Sequence, residues 1–376
     1  METEEKEGDL CFHGGAFFDG IGVEFNNLAE KNNIISADVL DAWFPPAPKI
    51  QEVIKSYLPW IIKTSPPTNS EGFIKTISEY RSLNPKSILP GAGSSDLIFR
   101  IFNHWLRPSS KVLILDPTYG EYSHILSQVI KCKVERLELR RGEGYKIDID
   151  KLREKLNQKF DLFVWVNPNS PTGLHINKTE VERVLRNNKG CKRIWIDETY
   201  IEYAGRDQTL EKFAEKSNNI FVCKSMSKVY ALSGLRTAYL CANPENIRPL
   251  KKITPPWVIS LPAQIASTYA LKEEDYYLEK YKETHELRDN LKLELRQVGI
   301  DEIVPGIANF IMFHFSSDKF SASQIVNECK KRKLYLRDIS GMGSCFDDNG
   351  IRMAVKDINT NKKMIKIFRE CINLFN

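Results

Sequence analysis

Residues 218–236 read NNIFVCKSMSKVYALSGLR. The first part, Asn219–Cys223, is a short apolar run of the kind found in strands buried on both faces. Ser225, Ser227 and Lys228 follow directly, and then Gly234-Leu235-Arg236. In open α/β sheets, ligands bind beyond the carboxyl ends of the strands. Two hydroxyls, an amine and a guanidinium at that place suit a phosphorylated ligand that carries an aldehyde. Lys228 supplies the amine that captures the aldehyde. Arg236 can fork onto phosphate oxygens, and Ser225 and Ser227 can donate to them. Alone, a Ser-x-Ser-Lys loop is also an ordinary surface turn, so its weight depends on its surroundings.

Working outward, short apolar runs alternate with helical patterns from about residue 70 to 245. The other strand candidates are Lys111–Leu115, Asp161–Val166, Arg193–Ile196 and Thr237–Cys241. Amphipathic stretches such as Gly120–Lys131 and Lys178–Asn187 lie between them. This alternation predicts an α/β three-layer sandwich with a mainly parallel sheet. The pattern breaks at Lys252-Ile253-Thr254-Pro255-Pro256, and a long polar helix is expected over Glu273–Val298. Strands Ala308–Phe315, Leu334–Arg337 and Ile351–Val355, with helices Ser321–Arg332 and Asn359–Leu374, predict a smaller α+β C-terminal domain. The expected division is an N-terminal arm over 1–63, a large domain over 64–255 and a small domain over 256–376.

Four further motifs sit at strand or helix ends. Asp197-Glu198-Thr199-Tyr200 follows Arg193–Ile196. A carboxylate there can be a metal ligand, a base or a cap. Beside a pyridine ring it would keep the ring nitrogen protonated, so that the ring accepts electrons. Tyr200 can donate to a phenolic oxygen on that ring. Gly91-Ala92-Gly93-Ser94-Ser95-Asp96 opens the apolar helix Leu97–Leu106, and free N–H groups at a helix start bind phosphate. Asp116-Pro117-Thr118-Tyr119-Gly120-Glu121-Tyr122 places an aromatic ring after a strand, where it can stack on a ligand. Asn167-Pro168-Asn169-Ser170-Pro171-Thr172-Gly173 is a Pro-rich turn that can contain a cis peptide. Each motif has a plain structural reading. Together they supply the separate needs of one cofactor, pyridoxal 5'-phosphate (PLP).

Bulk properties narrow the setting. The 376 residues are 42% hydrophobic and 27% charged, which suits a globular chain. A net charge of +5, from 54 basic and 49 acidic residues, is too even to point to nucleic acid. Eight cysteines show no C-x-x-C pair and no zinc-spaced Cys/His cluster, so reduced thiols and no metal are expected. The acidic start METEEKEGDL is not a signal or transit peptide, and no run approaches the roughly 20 apolar residues of a membrane span. A cytoplasmic location, without membrane or nucleic-acid partners, is the expectation.

The order of these motifs resembles the fold-type I PLP enzymes, class I/II aminotransferases. Within them it is most similar to the branch holding histidinol-phosphate aminotransferase and threonine-phosphate decarboxylase. SMSKVYALSGLR resembles that branch's Schiff-base segment, DETYIEY its Asp…Tyr segment and DPTYGEY its ring-stacking segment. The resemblance implies the PLP-dependent transferase type I fold, with Lys228, Asp197 and Tyr200 as catalytic residues. It implies PLP contacts from Ser94, Ser95, Tyr119, Asn169, Ser170, Asp197, Tyr200, Ser225, Ser227, Lys228 and Arg236. It places His13, Arg337 and Arg352 at the substrate, the two arginines as holders of a carboxylate or phosphate. A homodimer is implied as well.

Three departures bear on the substrate. Ser170 stands where the family usually has Asn, with Asn169 beside it to compensate. Thr64-Ser65-Pro66-Pro67 lacks the family's tyrosine. Ala37–Pro46 replaces an Asn-rich segment, so Asp38, Asp41 and Trp43 are candidates to line a different pocket. The first expectation is an aminotransferase for a small, phosphorylated amino compound. The alternatives are a decarboxylase of an O-phosphothreonine or O-phosphoserine type substrate, or a cyclase or lyase of a specialised pathway.

Overall fold

The computed structural model describes residues 14–22, 24–186, 188, 190–316 and 320–375. His13 lies outside the described residues, as does Cys11. A short β1 (Ile35–Ser36) opens the chain's strands. Seven more then build one sheet: β2 (Ile88–Gly91), β3 (Lys111–Asp116), β4 (Lys133–Glu138), β5 (Leu162–Val166), β6 (Ile194–Asp197), β7 (Ile220–Ser225) and β8 (Ala238–Cys241). Their order is β2-β8-β7-β6-β5-β3-β4. β8 runs antiparallel to both neighbours, and the remaining pairs are parallel. The carboxyl ends of β2, β3, β5, β6 and β7 therefore share one edge.

Both faces of this sheet are covered. Leu113, Leu115, Phe163, Trp165, Ile196 and Val222 pack into one apolar core. Val112, Ile114, Val164, Trp195, Phe221 and Cys223 pack into another, against helix Ser94–Trp105. Alternate side chains of each strand thus enter opposite layers, which is why these strands read as continuous apolar runs.

The remaining strands are β9 (Glu302–Ile303), β10 (Phe310–His314), β11 (Leu334–Tyr335), β12 (Arg337–Asp338) and β13 (Gly350–Ala354). Four of them form an antiparallel sheet in the order β12-β13-β10-β9, while β11 pairs with β1 in parallel. Helix Glu274–Gln297 connects the two sheets along the chain.

Sequence and structure differ at several elements. The expected strand Leu334–Arg337 splits at Leu336, because its first half pairs with β1 and its second with β13. β2 and β4 are edge strands that the apolar pattern does not disclose. Pro90 sits within β2, a position open to proline at a sheet edge. β4 carries Lys133, Glu135, Arg136 and Glu138, the charges that keep an edge from pairing further. The first sixty-three residues include a 16-residue helix, Pro48–Lys63. The stretch expected as one helix over Gly120–Lys131 is α-helical to His124 and then winds more loosely over Ile125–Val129. The seven described cysteines are all free thiols.

A buried ionic network lies behind the shared strand edge. Arg81 pairs with Glu202 and, at 3.4 Å, with Glu211. Lys224 reaches Glu202 at 2.9 Å and Glu198 at 3.3 Å. Burial alone would raise the Glu202 carboxyl, but Lys224 and Arg81 hold it below its ordinary range. Lys224 immediately precedes Ser225, and Glu198 immediately follows Asp197, so the network fixes two of the strand ends. Breaking a buried pair strands a charge. Arg81→Met is expected to lower the unfolding free energy by about 3–5 kcal/mol. Urea denaturation checks this, and a loss below about 1 kcal/mol would show that the network does not hold the fold.

Candidate active site

At the shared edge, the loops after five strands enclose a cavity of about 130 Å³. Its lining includes Ser94, Ser95, Tyr119, Ser170, Asp197, Tyr200, Ser225, Ser227, Lys228 and Arg236. Residues spread over 143 positions of sequence meet there because parallel strands all deliver their following loops to one side.

One end of the cavity is rich in hydrogen-bond donors. Helix Ser94–Trp105 begins at Gly93, and no side chain caps its first N–H groups. Gly93 has φ +89°, and a Cβ there would stand 2.6 Å from the Arg236 guanidinium. Only glycine meets both conditions. Arg236 itself adopts a left-handed backbone with φ +54°. Its Nη1 lies 3.5 Å from Ser227 Oγ. Uncapped N–H groups, serine hydroxyls and a guanidinium make an anion cradle suited to phosphate.

Across the cavity, Asp197 ends β6. Its Oδ1 accepts from the Thr199 N–H at 2.9 Å and Thr199 Oγ1 at 2.6 Å. Its Oδ2 accepts from the Tyr122 hydroxyl at 2.7 Å, and Tyr122 in turn accepts from Trp195 Nε1 at 2.8 Å. Burial pushes the Asp197 carboxyl up, while the Thr199 and Tyr122 hydrogen bonds work against that. A protonated ring nitrogen brought against it would supply the missing counter-charge. Burial also pushes the Tyr200 hydroxyl up, so it stays a donor.

Lys228 lines the cavity, and its Nζ donates to Asp41 Oδ1 at 2.8 Å. Burial pulls the amine below its ordinary range, Asp41 opposes this, and Arg352 and Arg236 add to it. The donor cradle, the buried carboxylate and the amine fit the phosphate, ring nitrogen and aldehyde of PLP.

The remaining expected residues divide. Ser170 lines the cavity, and its Oγ accepts from Arg352 Nη1 at 3.2 Å. Asn169 is not brought to the cavity, contrary to expectation. Its amide donates to the Pro117 carbonyl at 3.0 Å, so it ties two loops together and cannot compensate for Ser170. Arg352 is buried, and its Nη2 donates to the Asp38 carbonyl at 3.2 Å. Arg337 stands opposite Arg352 across β12 and β13. Of the three N-terminal candidates only Asp41 reaches the amine. The Asp38 carboxylate is turned to Ser36 and Gly15, and the Trp43 indole donates to Thr284 Oγ1 at 2.8 Å. Sequence reading missed Tyr122, Glu121 and Thr199. Glu121 Oε2 accepts from both Ser95 Oγ and the Tyr119 hydroxyl at 2.8 Å, joining the cradle to the aromatic wall. The i, i+3 spacing of Tyr119 and Tyr122 was the available signal for the latter.

Residues 39–368 match the sequence model of the family "Aminotransferase class I and II". The chain is 27% identical over 335 residues to a histidinol-phosphate aminotransferase of Clostridium acetobutylicum, covering 88% of this chain and 90% of that protein. The fold is similar to histidinol-phosphate aminotransferase from Sinorhizobium meliloti in complex with PLP, with TM-score 0.83, 18% identity and coverage of 94% and 95%. It is also similar to L-threonine-O-3-phosphate decarboxylase from Porphyromonas gingivalis, with TM-score 0.75, 18% identity and coverage of 90% and 100%.

Proposed function

The chain belongs to the aminotransferase class I and II family and is a PLP-dependent transaminase, and from that premise we propose that Lys228 carries the cofactor and that the amino substrate is small and phosphorylated. The observation that carries the reading is the single cavity that holds the Lys228 amine, the Asp197 carboxylate and the Ser94–Ser95–Ser225–Ser227–Arg236 cradle together.

When bound, PLP supplies an aldehyde for covalent capture and a ring that accepts the electron pair released at the substrate Cα. The chain's residues do the rest. The cradle and Tyr119 would hold and orient the ring. Asp197, locked by Thr199 and Tyr122, would keep a proton on the ring nitrogen. Tyr200 would donate to the phenolic oxygen. With PLP in place, the Lys228 amine would be the general base positioned to take a proton from the substrate Cα and to give one back. Its lowered proton affinity supports that task. Arg352, with Arg337 across the strand pair, holds a substrate anion. Arg352 also donates to Ser170, so the family's usual Asn position is here joined to the anion site.

The same reading divides the chain into an arm (1–63), a large cofactor domain (64–255) and a small domain (256–376), assembled as a homodimer. Exposed Tyr57, Trp60 and Ile62 on helix Pro48–Lys63 support a subunit contact.

The test mixes PLP-loaded protein with phosphorylated and plain amino acids, with no keto-acid acceptor. Visible absorbance and CO2 are followed together. Loss of the visible band without CO2, strongest for phosphorylated donors, is expected. CO2 release with the band regained each cycle would replace this reading with decarboxylation. A preference for unphosphorylated donors would remove the phosphate from it.

A further inference from the structure

Asp41 comes from far away in sequence, 187 residues before Lys228, and from a segment outside the strands of the central sheet. Its place is nonetheless fixed on both sides. The Ala37 carbonyl accepts from the Ala354 N–H, and the Ala37 N–H donates to the Tyr335 carbonyl, both at 2.9 Å. The Leu40 carbonyl accepts from Asn309 Nδ2 at 2.9 Å. After Asp41, the Trp43 indole is tied to Thr284 and Phe44 packs edge-on among Tyr276, Tyr277 and Tyr281. The Asp41 side chain is 43% exposed while Lys228 is 20% exposed, so Asp41 meets the amine from the more solvent-exposed side.

The charges around the amine are unbalanced. From β13 and the turn beyond it, Arg352 and Lys356 face the site. From the loop after β7 comes Arg236. All three disfavour a proton on Lys228. From β6 come Asp197, whose oxygens are occupied by Thr199 and Tyr122, and neutral Tyr200. Asp38 turns its carboxylate to Ser36 and Gly15. Asp41 is the carboxylate in direct contact with Nζ.

We propose that Asp41 is a positioning residue, whose carboxylate aims the Lys228 amine and holds a proton on it, so that the N-terminal segment sets the pH range in which Lys228 changes charge. This rests on the reading of Lys228 as the residue that carries PLP. An anion in hydrogen-bonding contact favours the charged form of an amine. Removing it moves the amine's titration to lower pH.

Two readouts test this on the full-length chain. In the PLP-loaded protein, the pH midpoint of the visible absorption is measured for wild type, Asp41→Asn and Asp41→Glu. In cofactor-stripped protein, the pH profile of Lys228 acetylation by acetic anhydride is read by peptide mass spectrometry. Asp41→Asn is expected to move both midpoints down by about 1–2 pH units, the usual size of a neighbouring-charge effect. Asp41→Glu should return them towards wild type, and urea unfolding should be unchanged by either. Midpoints that coincide in wild type and Asp41→Asn would overturn the proposal. So would a shift that Asp41→Glu fails to reverse. A shifted acetylation profile with PLP absent from Lys228 would support the ion pair and overturn the attachment reading instead.

Discussion

Lys228→Ala is expected to abolish covalent retention of PLP and to lower transamination by at least about 10³-fold, within the range for loss of a positioned acid–base group. Two functions vanish together, the amine that captures the aldehyde and the base that moves the Cα proton. The fold should survive. Lys228 lies in a loop after β7, and its side chain and that of its ionic partner Asp41 are both partly exposed. The cradle of Ser94, Ser95, Ser225, Ser227 and Arg236 is untouched, so PLP should still bind without a covalent link. Dialysis followed by absorbance, together with the single-turnover rate, separates these outcomes. Turnover close to wild type would refute the role assigned to Lys228.

The second large effect is expected at Asp197→Asn. Asparagine keeps the size of the side chain, and the Thr199 contacts to Oδ1 can persist. The negative charge is lost, and with it the hold on a proton at the ring nitrogen. Removing one preorganised electrostatic partner costs on the order of 10²–10³ in rate. Covalent attachment at Lys228 should remain, so kcat falls while the visible band stays. This pattern is the reverse of Lys228→Ala, where the band itself is lost. An unchanged kcat would show that Asp197 does not act on the ring.

How far the sequence discloses this site follows from chain geometry. Lys228, Asp197, Tyr119 and Ser94 each lie within a few residues of a buried strand's carboxyl end or a helix start. Local pattern therefore places them, and the parallel sheet gathers them. Asn169 shows the limit of the same argument, since its neighbour Ser170 enters the cavity while it binds the Pro117 carbonyl. Which of two adjacent turn residues faces inward depends on backbone angles that composition does not specify. Tertiary partners are harder still. Arg81 meets Glu202 across 121 residues, and nothing in either segment alone announces the pair. Asp41 stood out in the sequence only as a departure from the usual Asn-rich segment. Its contact with Lys228 required the β1–β11 pairing and the Asn309–Leu40 bond that carry the segment over the strand ends. At the sheet edges, β2 and β4 escaped notice because their proline and charges protect exposed strands.

The most direct measurement is borohydride reduction of the PLP-loaded protein, followed by protease digestion and mass mapping of the pyridoxyl label. The account predicts the label on Lys228, in the peptide that contains SMSKVYALSGLR. A label on Lys224 or Lys356 instead, or no label on any lysine, would contradict it.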